Sequence, residues 1–171
     1  MISSTFTEFP ACLYNCEFGT SLGNLKFSET NDAKNSKLDK KLSIEFKKKK
    51  IWVASSTHND EEILCAKAHI ILKRYIKNLI TIIIPRHIHR ADEIAKKIEN
   101  LNLRVSLLSS KVKSIKNVDI FLIDSFGETE KFYKISPTVF MGKSLPNASS
   151  TGGQNPIEPA RCGAKILHGP F

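Results

Sequence analysis

The stretch Pro85-Arg86-His87-Ile88-His89-Arg90 packs two arginines and two histidines into six residues. A guanidinium donates two parallel hydrogen bonds to a phosphate or carboxylate, so the chemistry this spacing serves is anion binding. An exposed basic loop is the plainer reading. His87-Ile88-His89 also has the form of a weak metal site, but no clustered carboxylate or cysteine follows it, which ranks metal below anion binding. A second stretch is Thr151-Gly152-Gly153-Gln154-Asn155-Pro156-Ile157-Glu158-Pro159. Its glycines allow close backbone approach, and a helix starting at Pro156 would offer free N–H groups and a positive dipole end to an anion. Glu158 would then stand in the first turn, able to accept hydrogen bonds from sugar hydroxyls. A glycine turn with Glu158 favouring the dipole accounts for the residues equally well.

Two further loops complete the set, Ser55-Ser56-Thr57-His58 and Ser125-Phe126-Gly127-Glu128. Ser56 near His58 lacks the strained elbow and third partner of a nucleophilic site, and helix capping accounts for it better. Gly142-Lys143-Ser144 has the ending of a phosphate-binding loop, but Pro137 stands where the first glycine of that motif belongs, which excludes it.

The elements between these loops follow from hydrophobic period. Leu38, Leu42 and Phe46 recur every four residues and predict a short amphipathic helix. Residues 51–55 and 79–84 are compact apolar runs that suit buried strands, the second β-branched throughout and ended by Pro85. Between them a helix is predicted, capped by Asn59 or Asp60, with Glu61 and Glu62 in its first turn, Lys73, Arg74 and Lys77 in its last, and Ile63, Ala66, Ile70 and Tyr75 on its apolar face. Further helices are predicted over 91–101, 127–133 and from Pro156 to about Cys162, and strands over 103–107, 119–123, 138–141 and from Ile166. Strands alternating with helices predict an α/β, Rossmann-like parallel sheet with helices on both faces, over residues 38–171. Such sheets bind ligands beyond the carboxyl ends of their strands, where the four loops fall. Residues 1–37 have no sustained period and read as a linker or the remnant of an inter-domain segment.

Composition narrows the class. The chain has 171 residues, enough for one ordinary domain, with 41% hydrophobic and 25% charged residues, which excludes a disordered tail or a fibre. No run approaches the ~20 apolar residues of a membrane span, and residues 1–10 lack a secretory signal, so a cytoplasmic protein is expected. Cys12, Cys16, Cys65 and Cys162 form no metal-binding spacing and are read as packing residues. The net charge of +9 is local: residues 31–50 carry eight lysines against Asp32, Asp39 and Glu45 and end in Lys47-Lys48-Lys49-Lys50. That run could attract nucleic acid or anionic lipid, making the chain a non-catalytic basic binding module. A solvated helix end whose lysines favour the C-terminal dipole is the preferred account, and without aromatic interleaving no nucleic-acid partner is expected.

Taken together, the loops resemble the 3-deoxy-D-manno-octulosonic acid (Kdo) transferases of lipopolysaccharide synthesis. The resemblance runs from Gly23-Asn24-Leu25-Lys26-Phe27 through Ala54-Ser55-Ser56-Thr57-His58 and Pro85-Arg86-His87 to the 152–159 stretch and His168-Gly169-Pro170. It implies the C-terminal, donor-binding domain of a two-domain GT-B glycosyltransferase that transfers Kdo from CMP-Kdo to lipid A precursor at the cytoplasmic face of the inner membrane. By position, it implies that Arg86 and His87 line a cytidine nucleotide pocket with Phe126, Gly127 and Glu128. Gly152, Gly153, Gln154 and Asn155 would hold phosphate or donor sugar, and Glu158 the ribose. It implies no cofactor and no metal. Lys143 departs from the pattern, standing where the family commonly has glycine. The family's N-terminal domain, with its base, acceptor site and membrane contact, has no counterpart in the sequence, nor do its last helices, so the chain alone is expected to be inactive.

Overall fold

A computed structural model describes residues 38–58, 60–110, 114–145 and 154–170. All of them belong to one compact unit, Asn35–Phe171. The element order is α1 (Lys40–Lys47), β1 (Lys50–Thr57), α2 (Glu61–Lys73), β2 (Leu79–Pro85), a 3-10 turn (Ile88–Arg90), α3 (Ala91–Glu99), β3 (Val105–Leu107), β4 (Ile120–Leu122), α4 (Thr129–Tyr133), β5 (Thr138–Met141), α5 (Ile157–Arg161) and β6 (Lys165–Leu167). The six strands form one sheet in the order β3-β4-β2-β1-β5-β6, and every pairing is parallel.

The alternation of side chains along each strand divides the core into two layers. Ile51 and Val53 of β1, Ile80, Ile82 and Ile84 of β2, Phe121 of β4 and Val139 and Met141 of β5 face α1 and α4. There Phe46 of α1 and Phe132 of α4 pack edge-on, ring centroids 6.2 Å apart, and Phe46 meets Phe121 at 5.5 Å. Truncating one such fully buried ring would cost about 3–5 kcal/mol. On the other face Ala54, Ile83, Ile120 and Leu122 pack against Cys65 and Ala66 of α2 and Ile94, Ala95 and Ile98 of α3. With both faces covered, β2 is buried at all seven positions, the reason it reads as an unbroken apolar run.

Several elements differ from their sequence-based expectation. The α2 helix stops at Lys73, and Tyr75 beyond it is 82% exposed; Cys65 and His69 take the buried positions instead. Asp60 stands at the N-cap of α2 with φ +66° and makes no side-chain cap, while Asn59 lies outside the described residues. Ser56 does not cap a helix; it occupies an irregularity of β1 between Ser55 and Thr57 at φ +54°. The Lys47-Lys48-Lys49-Lys50 run spans the C-terminus of α1 and the first residue of β1, where lysine favours the negative end of the helix dipole, and Lys49 Nζ donates to Lys116 O at 3.0 Å. No helix among the described residues is long and apolar enough to cross a membrane.

Candidate functional site

Connections from β1 run toward β2, β3 and β4, whereas β5 and β6 lie on the other side of β1. The sheet therefore has its switch point between β1 and β5, and the crevice beyond their carboxyl ends is where a ligand has room between diverging loops. His58 follows β1 there and Gly142-Lys143-Ser144 follows β5.

Around His58 the structure gathers residues from three loops. The His87 ring stands edge-on to it, centroids 5.6 Å apart, and His89 lies 5.7 Å beyond His87. Gln154 Nε2 is 3.5 Å from His58 Nε2. The Arg86 N–H donates to Thr57 O at 2.9 Å, which fastens the loop after β2 to the end of β1. Burial holds the His58 imidazole below its ordinary range; the Glu61 carboxylate opposes this, and His87, Lys143 and Arg86 add to it. Protonation of the His58 ring is thus disfavoured in this setting. The Arg86 side chain is exposed, and among the described residues no carboxylate pairs with it or with the Lys143 ammonium. Arg90, by contrast, is engaged with Glu62 at 3.4 Å and Glu93 at 3.9 Å, so only part of the 85–90 stretch remains open to an anion.

A second group lies on the face that carries α4 and α5. Phe126 is 81% exposed, Gly127 has φ +77°, and Glu128 pairs with Lys131 at 2.5 Å as it leads into α4. Glu158 is exposed in the first turn of α5, and α4 packs against α5. Asn155 Oδ1 accepts from the Ile157 N–H at 3.0 Å. Because Pro159 has no N–H, the start of this five-residue helix offers a ligand only the Glu158 N–H. An anion held mainly by that helix start is therefore weakly provided for, and the cations around His58 are the better source of positive charge. Gly152 and Gly153 lie outside the described residues.

Three residues of the site region have roles that are not apparent from sequence. Glu61, 3% exposed, accepts backbone N–H groups from His58 at 2.9 Å, Lys143 at 2.8 Å and Ser144 at 3.2 Å. Those bonds occupy the amides that a phosphate-binding loop would need, which agrees with excluding that motif at 142–144. Tyr133, buried at the end of α4, meets Ser55 Oγ at 2.5 Å beneath the tip of β1. Burial pushes its phenol above the ordinary range, the Ser55 bond opposes that, and the Glu158 carboxylate adds to it. Gly169 is the third: its N–H donates to Ser144 Oγ at 2.9 Å, and a Cβ there would lie 2.0 Å from Ser144 O. Only glycine permits that approach.

No protein-family model matches the chain. It is 32% identical over 148 residues to the 3-deoxy-D-manno-octulosonic acid transferase of Haemophilus influenzae, a match covering 86% of this chain and 34% of that protein. The enzyme of the same name from Rickettsia conorii is 29% identical, covering 88% of this chain and 32% of that one. Among solved structures, the C-terminal CMP-Kdo binding domain of WaaA from Acinetobacter baumannii superposes with a TM-score of 0.64 at 33% identity, covering 73% of this chain and 64% of that one. The chain is similar to the Kdo transferases over most of its length. It corresponds to their C-terminal part and has the α/β, GT-B-like fold of that domain. The chain spans about a third of the length of the curated relatives it matches.

Proposed function

We infer that this part of a Kdo transferase binds the CMP-Kdo donor at the carboxyl ends of β1, β2 and β5, within a glycosyltransferase that passes Kdo to a lipid A precursor. The reading is carried by the likeness, at 33% identity, to a CMP-Kdo binding domain. The geometry supports it: a switch-point crevice in which the Arg86 side chain is exposed without an acidic partner among the described residues, its backbone fastened to the end of β1 beside His58.

In this reading Arg86 and His87 hold the nucleotide phosphate, with Gln154 and Asn155 toward the phosphate and sugar and Gly152 and Gly153 giving close backbone approach. Phe126, exposed beside Gly127, offers a flat apolar face to the cytosine ring. Glu128 and Glu158 accept hydrogen bonds from ribose hydroxyls. Arginine suits the phosphate because its planar fork reaches two oxygens at once. No cofactor or metal is invoked. Activation of the acceptor hydroxyl needs a base held in reacting geometry, which we assign to the rest of the enzyme together with the acceptor site and contact with the cytoplasmic face of the inner membrane. Transfer is not expected of these 171 residues alone.

The test is a titration of CMP into the chain by calorimetry in the presence of a metal chelator. Saturable one-site binding that survives replacement of Lys47, Lys48, Lys49 and Lys50 by glutamine supports the reading. No CMP binding, together with steeply salt-dependent binding to an anionic polymer, would replace it with a basic binding module.

A further inference from the structure

Glu61 opens α2, and an acidic residue in a first turn ordinarily needs no account beyond the helix dipole. Such a residue can do that work from solvent. Glu61 is instead 3% exposed, and its partners are not those of its own helix alone. One carboxylate accepts the N–H of His58, from the loop after β1, and the N–H groups of Lys143 and Ser144, from the loop after β5. Those loops stand on opposite sides of the switch point. Gly142 closes on the same place, since a Cβ there would lie 2.5 Å from Ser56 O and 2.8 Å from Glu61 Oε2. Ser144 extends the connection, donating to Met141 O at 2.6 Å and accepting from the Gly169 N–H beyond β6.

We propose that Glu61 is a positioning residue for the nucleotide site, a buried carboxylate that holds the loops after β1 and β5 in the arrangement that binds nucleotide. The proposal rests on the CMP-binding reading given above and deepens it. Charge-assisted bonds to backbone N–H groups are the stronger kind, and three of them on one buried side chain fix backbone more firmly than a solvated acid would. His58 is placed by the first bond, and through its position the approach to His87 and Gln154 is placed as well. Lys143 is held at φ +60°, a left-handed conformation that lysine adopts only when its surroundings impose it. Pre-forming such loops removes an ordering cost from ligand binding.

Two variants of the 171-residue chain separate positioning from the dipole effect. Glu61→Gln keeps the shape but sets an NH2 against backbone N–H groups. Glu61→Asp keeps the charge at the start of α2 but withdraws it by one methylene from the β5 loop. CMP is titrated into each by calorimetry at a temperature where circular dichroism shows it folded, and amide exchange is followed by NMR. Both variants are expected to raise the CMP Kd by roughly tenfold, a loss of about 1.4 kcal/mol. Exchange at Lys143 and Ser144 is expected to quicken while amides of β2 stay protected. If Glu61→Gln does not fold, Glu61→Asp carries the comparison alone. CMP binding by the parent with an equal Kd in Glu61→Asp would overturn the proposal and leave the donor-binding reading standing. A parent that does not bind CMP would overturn both.

Discussion

At the amino ends of the strands a buried carboxylate is closed by the cations beside it. Asp119, just before β4, accepts from Arg104 Nε and the Arg104 N–H at 3.0 Å each and also pairs with Lys73. Burial opposes its charge, but these partners more than offset that and hold its carboxyl well below the usual range. Glu45 accepts from the Ile115 N–H at 2.6 Å and from Ser114 at 3.0 Å. Left-handed residues at this end, Asn78 and Asn102, are of the type that tolerates such backbone. The carboxyl ends follow another rule. Arg86 and Lys143 lack acidic partners among the described residues, and of the non-glycine left-handed positions there, Asp60 is of the tolerant type but Ser56 and Lys143 are not. The amino edge closes its buried carboxylate with cations, while the carboxyl edge leaves Arg86 and Lys143 without acidic partners among the described residues and holds part of its backbone under constraint, the condition expected where a ligand supplies what is missing.

The largest expected effect belongs to the closed edge and is read in pH. His69 is fully buried on α2, its Nδ1 2.8 Å from Thr81 Oγ1 and its Nε2 without a hydrogen-bond partner among the described residues. Burial lowers its pKa from 6.5 to about 4; Asp119 opposes this and Lys73 assists it. Because the unfolded chain takes up this proton more readily, the contribution is complete above pH 6.5 and is lost as pH falls through that value toward about 4. The loss by pH 4 should be ~3 kcal/mol. Glu62, raised chiefly by burial, acts in the opposite direction in the acid part of this window. The measurement is therefore the difference between the parent and His69→Gln in urea unfolding from pH 7 to 4. Parallel pH profiles would show that the amino edge holds no such group.

Arg86 tests the open edge and should separate affinity from stability. Its exposed side chain holds no part of the core, so Arg86→Ala should leave the melting temperature within about a degree while weakening CMP binding by ~2 kcal/mol. Arg86→Lys should lose nearly as much, because a point charge does not reproduce the bidentate fork. Calorimetry checks both. A lysine variant equal to the parent would make the edge merely electrostatic, and an alanine variant equal to the parent would remove it as the binding edge.

What sequence made legible divides along the same line. Strands β1, β2 and β5 and the four loops were readable because continuous apolar runs and the residues that interrupt them are local properties. The parallel α/β class followed from their alternation, whereas the neighbour relation of β1 and β5 did not, since it depends on where the chain crosses after β4. Glu61 looked like any first-turn acid because two of its partners, Lys143 and Ser144, lie 82 and 83 residues away. Ser55 and Tyr133 are separated by 78 residues and carry no shared spacing. The α2 helix ends earlier than its composition predicts, since Tyr75 and Lys77 continue a helical pattern beyond Lys73 while Asn78 turns the backbone at φ +59°.

The smallest expected effect concerns Lys143, and it asks whether the constraint at the open edge serves its side chain or only its backbone. At φ +60° a lysine carries a backbone cost of roughly 1–2 kcal/mol that glycine would not. Glycine gives back part of this by gaining freedom in the unfolded chain, roughly 0.4–1 kcal/mol, so Lys143→Gly should be neutral to slightly stabilising in thermal unfolding. The backbone N–H donated to Glu61 survives the change, and so does the clamp between the loops. If that clamp is what the site requires, CMP affinity should stay within about threefold of the parent, a shift under ~0.7 kcal/mol. A tenfold or greater loss of CMP affinity would assign the Lys143 ammonium to the nucleotide phosphate, and the backbone cost at this position would then be the means of placing that charge.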